Sequence, residues 1–334
     1  SMIGDNLFHG CSSLNAVVWN ATQPISATMF DEKSYHNLLL YIPAQMKFTH
    51  PLIDEGRMTL ICDGKSGTLT LNSRYPFYCP MEFTADTVSY QRSFSQTTGL
   101  GKAAGWETIV LPFDVQNYTH STKGDIAPFG VTAQHHFWLA EWSGDSFTKS
   151  SSLRANIPYI IAMPNNTLYG NNSMNGVITF SANQTTIETT TDLTVSEGQE
   201  VNFIPTYETI APQEDIYVLN VGIKYGENDP GSVFVPNQHT LTPFSAYMTP
   251  AVGGKAVPFY RAILQHEREE IKAFSVSVSN GTVYVSSDKA KRVEVYDMTG
   301  RRVRNITCEP GITEIIGLHE GLYLIENVKV YVER

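Results

Sequence analysis

Cysteine is scarce: four occur in 334 residues, Cys11, Cys62, Cys79 and Cys308, and no two form a CxxC pair. That spacing argues against a structural zinc site or a thioredoxin-type centre. Cys62 and Cys79 would bridge if they lie on neighbouring strands; otherwise each is a small buried apolar side chain. Long apolar runs are also missing, and none reaches the roughly 18–20 residues a membrane-spanning helix needs. Basic residues are outnumbered, 23 Lys and Arg against 33 Asp and Glu, for a formal net charge of −10. A general nucleic-acid binder is thereby excluded, because phosphate affinity rests on Lys and Arg. Helical periodicity is rare. The best case, "FYRAILQHEREEIKAF" at 259–274, places Phe259, Ile263, Ile271 and Phe274 only partly on one face and reads as a linker with a short helix. The opening "SMIGDNLFHGC" lacks the basic and apolar segments of a secretory leader, so it reads as cut from a longer polypeptide.

Signatures of catalysis are missing in the same way. "HEREE" at 266–270 begins like a two-histidine zinc helix, but Glu270 stands where the second histidine belongs. There is no GxSxG elbow, Walker loop or dinucleotide fingerprint. "GLGKAAGW" at 99–106 lacks the Gly-Lys-Ser/Thr ending and precedes a strand. Asp114, Asp125, Glu141 and Asp145 are scattered acids from which a glycosidase pair would have to be drawn. The expectation is a chain without enzymatic activity, cofactor or metal.

Alternation of period two dominates what is present. "MTLICDG" and "SGTLTLNS" read as strands around a Gly-containing turn, and "ETIVLPFDV", "VEVYDMTG" and "GLYLIENVKVYVE" follow the same pattern. The expected fold is mainly β, in four segments. Residues 1–58 hold a partial repeat and its cap. A β-sandwich or jelly-roll-like domain follows over 59–258, then a linker over 259–271. A small C-terminal β-sandwich occupies 272–334.

"HHFWLAEWSGDSF" at 135–147 is the richest candidate for binding. As a strand it sends His135 and His136 to opposite faces, one buried or partnered and the other wet. His136, Trp138, Ala140 and Trp142 then share a side. Exposed, Trp138 and Trp142 would form a sugar-stacking platform; the competing reading buries both rings in the sandwich core.

Three stretches resemble known families. "LFHGCSSLNAVVW", with Phe8, Gly10, Cys11, Leu14 and Val17, resembles one unit of the BspA-like leucine-rich repeats of bacterial surface proteins, and "LLLYIPAQMKF" resembles the element closing such arrays. Since one repeat cannot bury its own apolar face, the resemblance implies more repeats upstream. Tyr90 and Arg92, Trp106 to Phe113, Pro158 to Ile160 and Pro243 to Tyr247 occur in the order seen in a β domain of Bacteroidetes surface proteins, with Ser245 where Arg is usual. The tail resembles the C-terminal sorting domain of the type IX (Por) secretion pathway. Its matching residues are Tyr296, Asp297 and Gly300, then Gly317, Leu318, Gly321 and Tyr323, then Lys329 with Val330 and Val332. "DTV" at 86–88 matches the Asp-Thr/Ser-apolar motif that Bacteroidetes O-glycosylate, with Thr87 as acceptor.

These resemblances imply a non-catalytic part of a secreted or outer-membrane-associated cell-surface protein, serving adhesion as spacer, cap and anchor. The implied partner is a host or microbial surface protein or glycan, with neither nucleic acid nor a transmembrane span. A carbohydrate-binding module in the central domain is the first alternative, and an unrecognised glycoside hydrolase the second.

Overall fold

The computed structural model describes residues 4–99, 103–191, 193–236, 240–251, 274–279, 281–287, 290–309, 311–326 and 328–333. The proposed linker helix and the "HEREE" motif lie outside them. The fold is mainly β. No helix among the described residues is long and apolar enough to cross a membrane.

The chain begins as a stack. Strands Ala16–Val18, Leu38–Ile42 and Met58–Cys62 run parallel, with Ala16 opposite Leu39 and Leu39 opposite Thr59. Each step therefore takes 23 or 20 residues (39 − 16; 59 − 39), a length that returns the chain one strand spacing along a solenoid-like coil. Leu38–Ile42 is buried at every position, because both of its faces are covered. Leu39 and Tyr41 enter the large central core, while Leu38, Leu40 and Ile42 enter a separate core with Trp19, Phe30, Tyr35 and Leu52.

Asp63 and Gly64 both take positive φ, 52° and 70°. This is the Asp-Gly pair of a tight hairpin turn, and it sets Lys65 opposite Cys62. The two strands read around this turn exist, but they share only that one pair. Strand Lys65–Asn72 instead pairs in parallel with Phe83–Phe94, Lys65 opposite Thr84. Phe83–Phe94 then runs antiparallel to Gly176–Ile187 along its whole length. Asn117–His120, Gly124–Pro128, His135–Trp142, Tyr159–Ala162 and Glu107–Ile109 complete the path of a twelve-stranded sheet, with Phe147–Lys149 paired beside it. Gly124–Pro128 and His135–Trp142 are again parallel.

The jelly-roll expectation is corrected here. Jelly rolls are antiparallel throughout, whereas connections of 6 to 19 residues carry this chain back to restart strands in the same direction. A second sheet, in the order Val201–Thr206, Ser245–Pro250, Tyr217–Leu219 and Phe234–Pro236, packs on one side of His135–Trp142.

Seven strands in two sheets form the C-terminal β-sandwich. One sheet contains Phe274–Ser279, Thr282–Ser287 and Gly311–Ile315. The other contains Arg302–Cys308, Lys291–Asp297, Gly321–Ile325 and Val328–Val332. Val283, Val285, Val293, Val295, Ile325 and Val332 fill the space between them.

Candidate functional site

Alternation along His135–Trp142 holds residue by residue. Phe137 and Leu139 enter the central core; Trp138, Ala140 and Trp142 enter the second core with Phe203, Phe234 and Met248. Both tryptophans are covered, at 3% and 8% exposure. The Trp138 ring lies 5.1 Å from Phe129 and 5.6 Å from Tyr169, and the Trp142 ring 5.0 Å from Phe147. Gly198 sits over the Trp142 indole, where an added Cβ would stand 2.9 Å from Nε1. The sugar-stacking platform of His136, Trp138 and Trp142 is thus corrected: the second sheet covers the face on which a sugar would stack.

Both histidines of the pair are partnered, His135 buried and His136 half-buried. His136 Nε2 donates to the Val131 carbonyl at 2.8 Å, and its ring stacks on Phe129 at 5.3 Å. His135 Nδ1 lies 3.3 Å from Asn172 Oδ1. Burial lowers the pKa of both, and of His36, by disfavouring imidazolium; Lys123, His136 and His120 act on His135 in the same direction. The unfolded chain takes up these protons first once the pH falls below about 6.5. Stability from these groups is therefore complete above that pH and is lost as the pH drops through the lower folded values. The urea midpoint is expected to fall between about pH 7 and about pH 5, and His135→Gln to flatten that slope. An unchanged slope in the variant would show that His135 carries none of it.

The scattered carboxylates act as fastenings. Asp114 Oδ1 accepts from the Ala155 amide at 2.8 Å, and Asp125 Oδ1 from the Thr119 hydroxyl at 3.4 Å. Glu141 pairs with Arg154 at 2.9 Å, and Asp145 accepts from the Ser146 hydroxyl at 3.1 Å. No group of three or more metal-ligating side chains with suitable geometry occurs among the described residues. The cysteines are all free. Cys62 lies against the Pro43 and Ala44 carbonyls, whereas Cys79 is buried in the central core beside the Tyr41 hydroxyl, its thiol pushed up to about 11 chiefly by burial. The bridge considered for this pair is therefore not formed. Thr87 is exposed on Phe83–Phe94, its hydroxyl 3.0 Å from that of Thr68.

In the tail, the motif residues shape turns. Asp297 Oδ1 accepts from the Thr299 amide and hydroxyl and from the Arg301 amide, at 3.0, 2.6 and 3.1 Å. Gly300 follows at φ 80°. Tyr296 donates to Glu294 at 2.5 Å, and Arg302 pairs with the same carboxylate at 2.6 Å. Gly317 takes φ 73°, Leu318 is buried, and the Tyr323 hydroxyl donates to the His319 carbonyl at 2.9 Å. Gly321 begins a strand and Lys329 is exposed on the last one.

One concave site was not read from the sequence. A cleft of ≈ 740 Å³ lies within the initial stack, lined by three separated segments, Asn6 and His9, Ala27 and Thr28 with Phe30 to Ser34, and His50 with Pro51. Its turn at 31–35 is rigidly held. Asp31 Oδ2 accepts from the Gly10 amide, and its Oδ1 from the amides of Lys33 and Ser34. Arg57 donates to the Tyr35, Glu32 and Lys33 carbonyls at 3.0, 2.9 and 2.8 Å. The Gly10 amide above all holds the Asp31 carboxyl well below the usual carboxylate range. His50 is 7% exposed, and its Nδ1 accepts from the Leu52 amide at 3.2 Å. In the neutral ring the proton therefore sits on Nε2, which bonds to no described residue. No sequence motif marks this site, because its residues are joined only by the 20-odd-residue stacking step.

No family model matches the chain, and no curated protein matches it. A solved structure of β-D-glucuronidase from Dictyoglomus thermophilum resembles it at a TM-score of 0.15 and 14% identity, over 75% of this chain and 34% of that one. The chain thus spans about a third of that enzyme's length, and at this score the likeness carries no argument.

Proposed function

We propose that this chain is a non-catalytic part of an exported, cell-surface protein, in which it presents, spaces and anchors a partner-binding region. The observation carrying this reading is the continuous sheet that begins as parallel stacked strands and passes, through Lys65–Asn72 and Phe83–Phe94, into the antiparallel body. A stack that merges into a thicker body has its growing edge blocked at that end, as a capped solenoid requires. The resemblances to BspA-like repeats and to the Por sorting domain agree with this order of parts, and Thr87 is the proposed O-glycosylation site.

The test pairs two measurements on the whole chain. A panel of immobilised matrix proteins, cell-surface extracts and glycans is expected to reveal a saturable partner, while polysaccharides and peptides incubated with the chain remain intact. Hydrolysis that disappears on replacing a single carboxylate, Glu141→Gln for example, would overturn the proposal.

A further inference from the structure

We propose that the cleft of the initial stack binds a basic peptide segment of a partner protein, its Lys or Arg side chain entering beside Asp31 and Glu32 while a main-chain carbonyl accepts from His50 Nε2. This deepens the partner-binding reading above by naming the partner's chemistry.

Four observations lead to it. The cleft is the size of a ligand pocket, ≈ 740 Å³. Its turn is held before any ligand arrives, by the three Arg57 bonds and the amides on Asp31, so little ordering is lost on binding. His50, more than nine-tenths buried and lining the cleft, offers a donor with no described acceptor, and a peptide carbonyl supplies one. Charge then selects the side chain. Asp31 and Glu32 line the site and Asp5 is bonded to Thr28 in its wall, against Lys33 in the lining and Arg57 behind the turn, the latter already paired with Glu55. A carboxylate ligand would meet an excess of like charge, whereas an ammonium or guanidinium group is attracted. Ala27 and Pro51, both exposed, supply apolar surface for its methylene stem. A sugar is disfavoured because Phe30, at 3% exposure, presents no ring face for stacking. The net charge of −10 also steers a basic partner towards the molecule.

The experiment is an NMR titration of the ¹⁵N-labelled chain with acetyl-Gly-Lys-Gly-amide, its arginine counterpart, and matched norleucine and glutamate peptides. The basic peptides are expected to bind with Kd on the order of 1 mM, shifting the amides of His9, Glu32, Lys33 and the His50 ring. Glu32→Gln is expected to weaken binding about three-fold and Lys33→Gln to strengthen it about two-fold, both effects shrinking as salt is added. Both side chains are exposed, so these variants retain the fold even where a His50 variant does not. Equal binding of the norleucine or glutamate peptide, weakening by Lys33→Gln, or shifts confined to other regions would each overturn the proposal. Failure here is distinguishable from failure of the broader reading. A surface panel that binds the chain unaffected by Glu32→Gln removes the cleft alone, whereas hydrolase activity alongside intact lysine-peptide binding removes the non-catalytic role alone.

Discussion

Replacing Arg92 with Met is expected to cost about 3–5 kcal/mol of stability, because it leaves Glu107 as a buried carboxylate without its cation. Arg92 Nη2 meets Glu107 Oε2 at 2.6 Å, with side-chain exposures of 17% and 8%. Nη1 donates to the Thr108 carbonyl at 2.7 Å, and the guanidinium lies 5.4 Å from the centre of the Phe94 ring. The two partners come from strands far apart in the large sheet: Phe83–Phe94 in its middle and Glu107–Ile109 at the end of its path. The pair therefore holds the sheet where it curls back on itself. Taking two charges out of water nearly offsets their attraction, so the pair as a whole contributes far less than its disruption costs. Arg92→Met combined with Glu107→Leu is accordingly expected to recover most of the loss, with Glu107→Gln alone falling between the extremes. Urea unfolding of the parent, Arg92→Met, Glu107→Leu and the double variant forms a double-mutant cycle. Single variants within about 0.5 kcal/mol of the parent would show that the pair holds nothing together.

Where one strand decides its own faces, the amino-acid sequence was legible. The alternation of 135–142 separates Phe137 and Leu139 from Trp138 and Trp142, and the two groups do enter different cores. Turn chemistry was equally local: Asp63–Gly64 and Asp297 to Gly300 carry their conformations in their own side chains or in their lack of one. What escaped was the pairing of strands through long returns. Lys65–Asn72 looks like the second half of a hairpin, yet its ladder partner begins 19 residues later (84 − 65), and nothing in the period-two pattern distinguishes a parallel from an antiparallel mate. The fate of Trp138 and Trp142 was undecidable for a related reason. Alternation says that they share a face, but the sheet covering that face begins at Val201. The cleft was hidden because His9, Glu32 and His50 come together only through stacking. Arg92 stood out by resemblance, though its ion partner Glu107 did not.

The seam between the second sheet and the large one gives the other large expected effect: Gly231→Ala should cost about 2–5 kcal/mol. Two penalties combine. Gly231 has φ +67°, a region that costs an L-residue roughly 1–2 kcal/mol. A Cβ there would also stand 2.5 Å from the Trp106 carbonyl oxygen and 2.6 Å from its nitrogen, and overpacking of this kind adds about 1–3 kcal/mol. Neither side yields easily. The Gly231 carbonyl accepts from the Trp106 amide at 3.2 Å, and the Pro230 carbonyl from the Gly105 amide at 2.9 Å. The loop behind is fixed by Asn220, whose Oδ1 accepts from the Ser232 and Val233 amides and whose Nδ2 donates to the Ile223 and Asp229 carbonyls. On the other side the Trp106 ring is buried in the second core, at 1% exposure. Gly226 supplies the control, since it has nearly the same conformation, φ +57°, with nothing within 4 Å of an added Cβ. Gly226→Ala should therefore show the conformational penalty alone, about 1–2 kcal/mol. Urea unfolding of both variants isolates the close approach as their difference, and tryptophan emission is expected to shift to the red in Gly231→Ala as Trp106 loses its packing. Equal losses in the two variants would mean that the backbones at this seam have room to part.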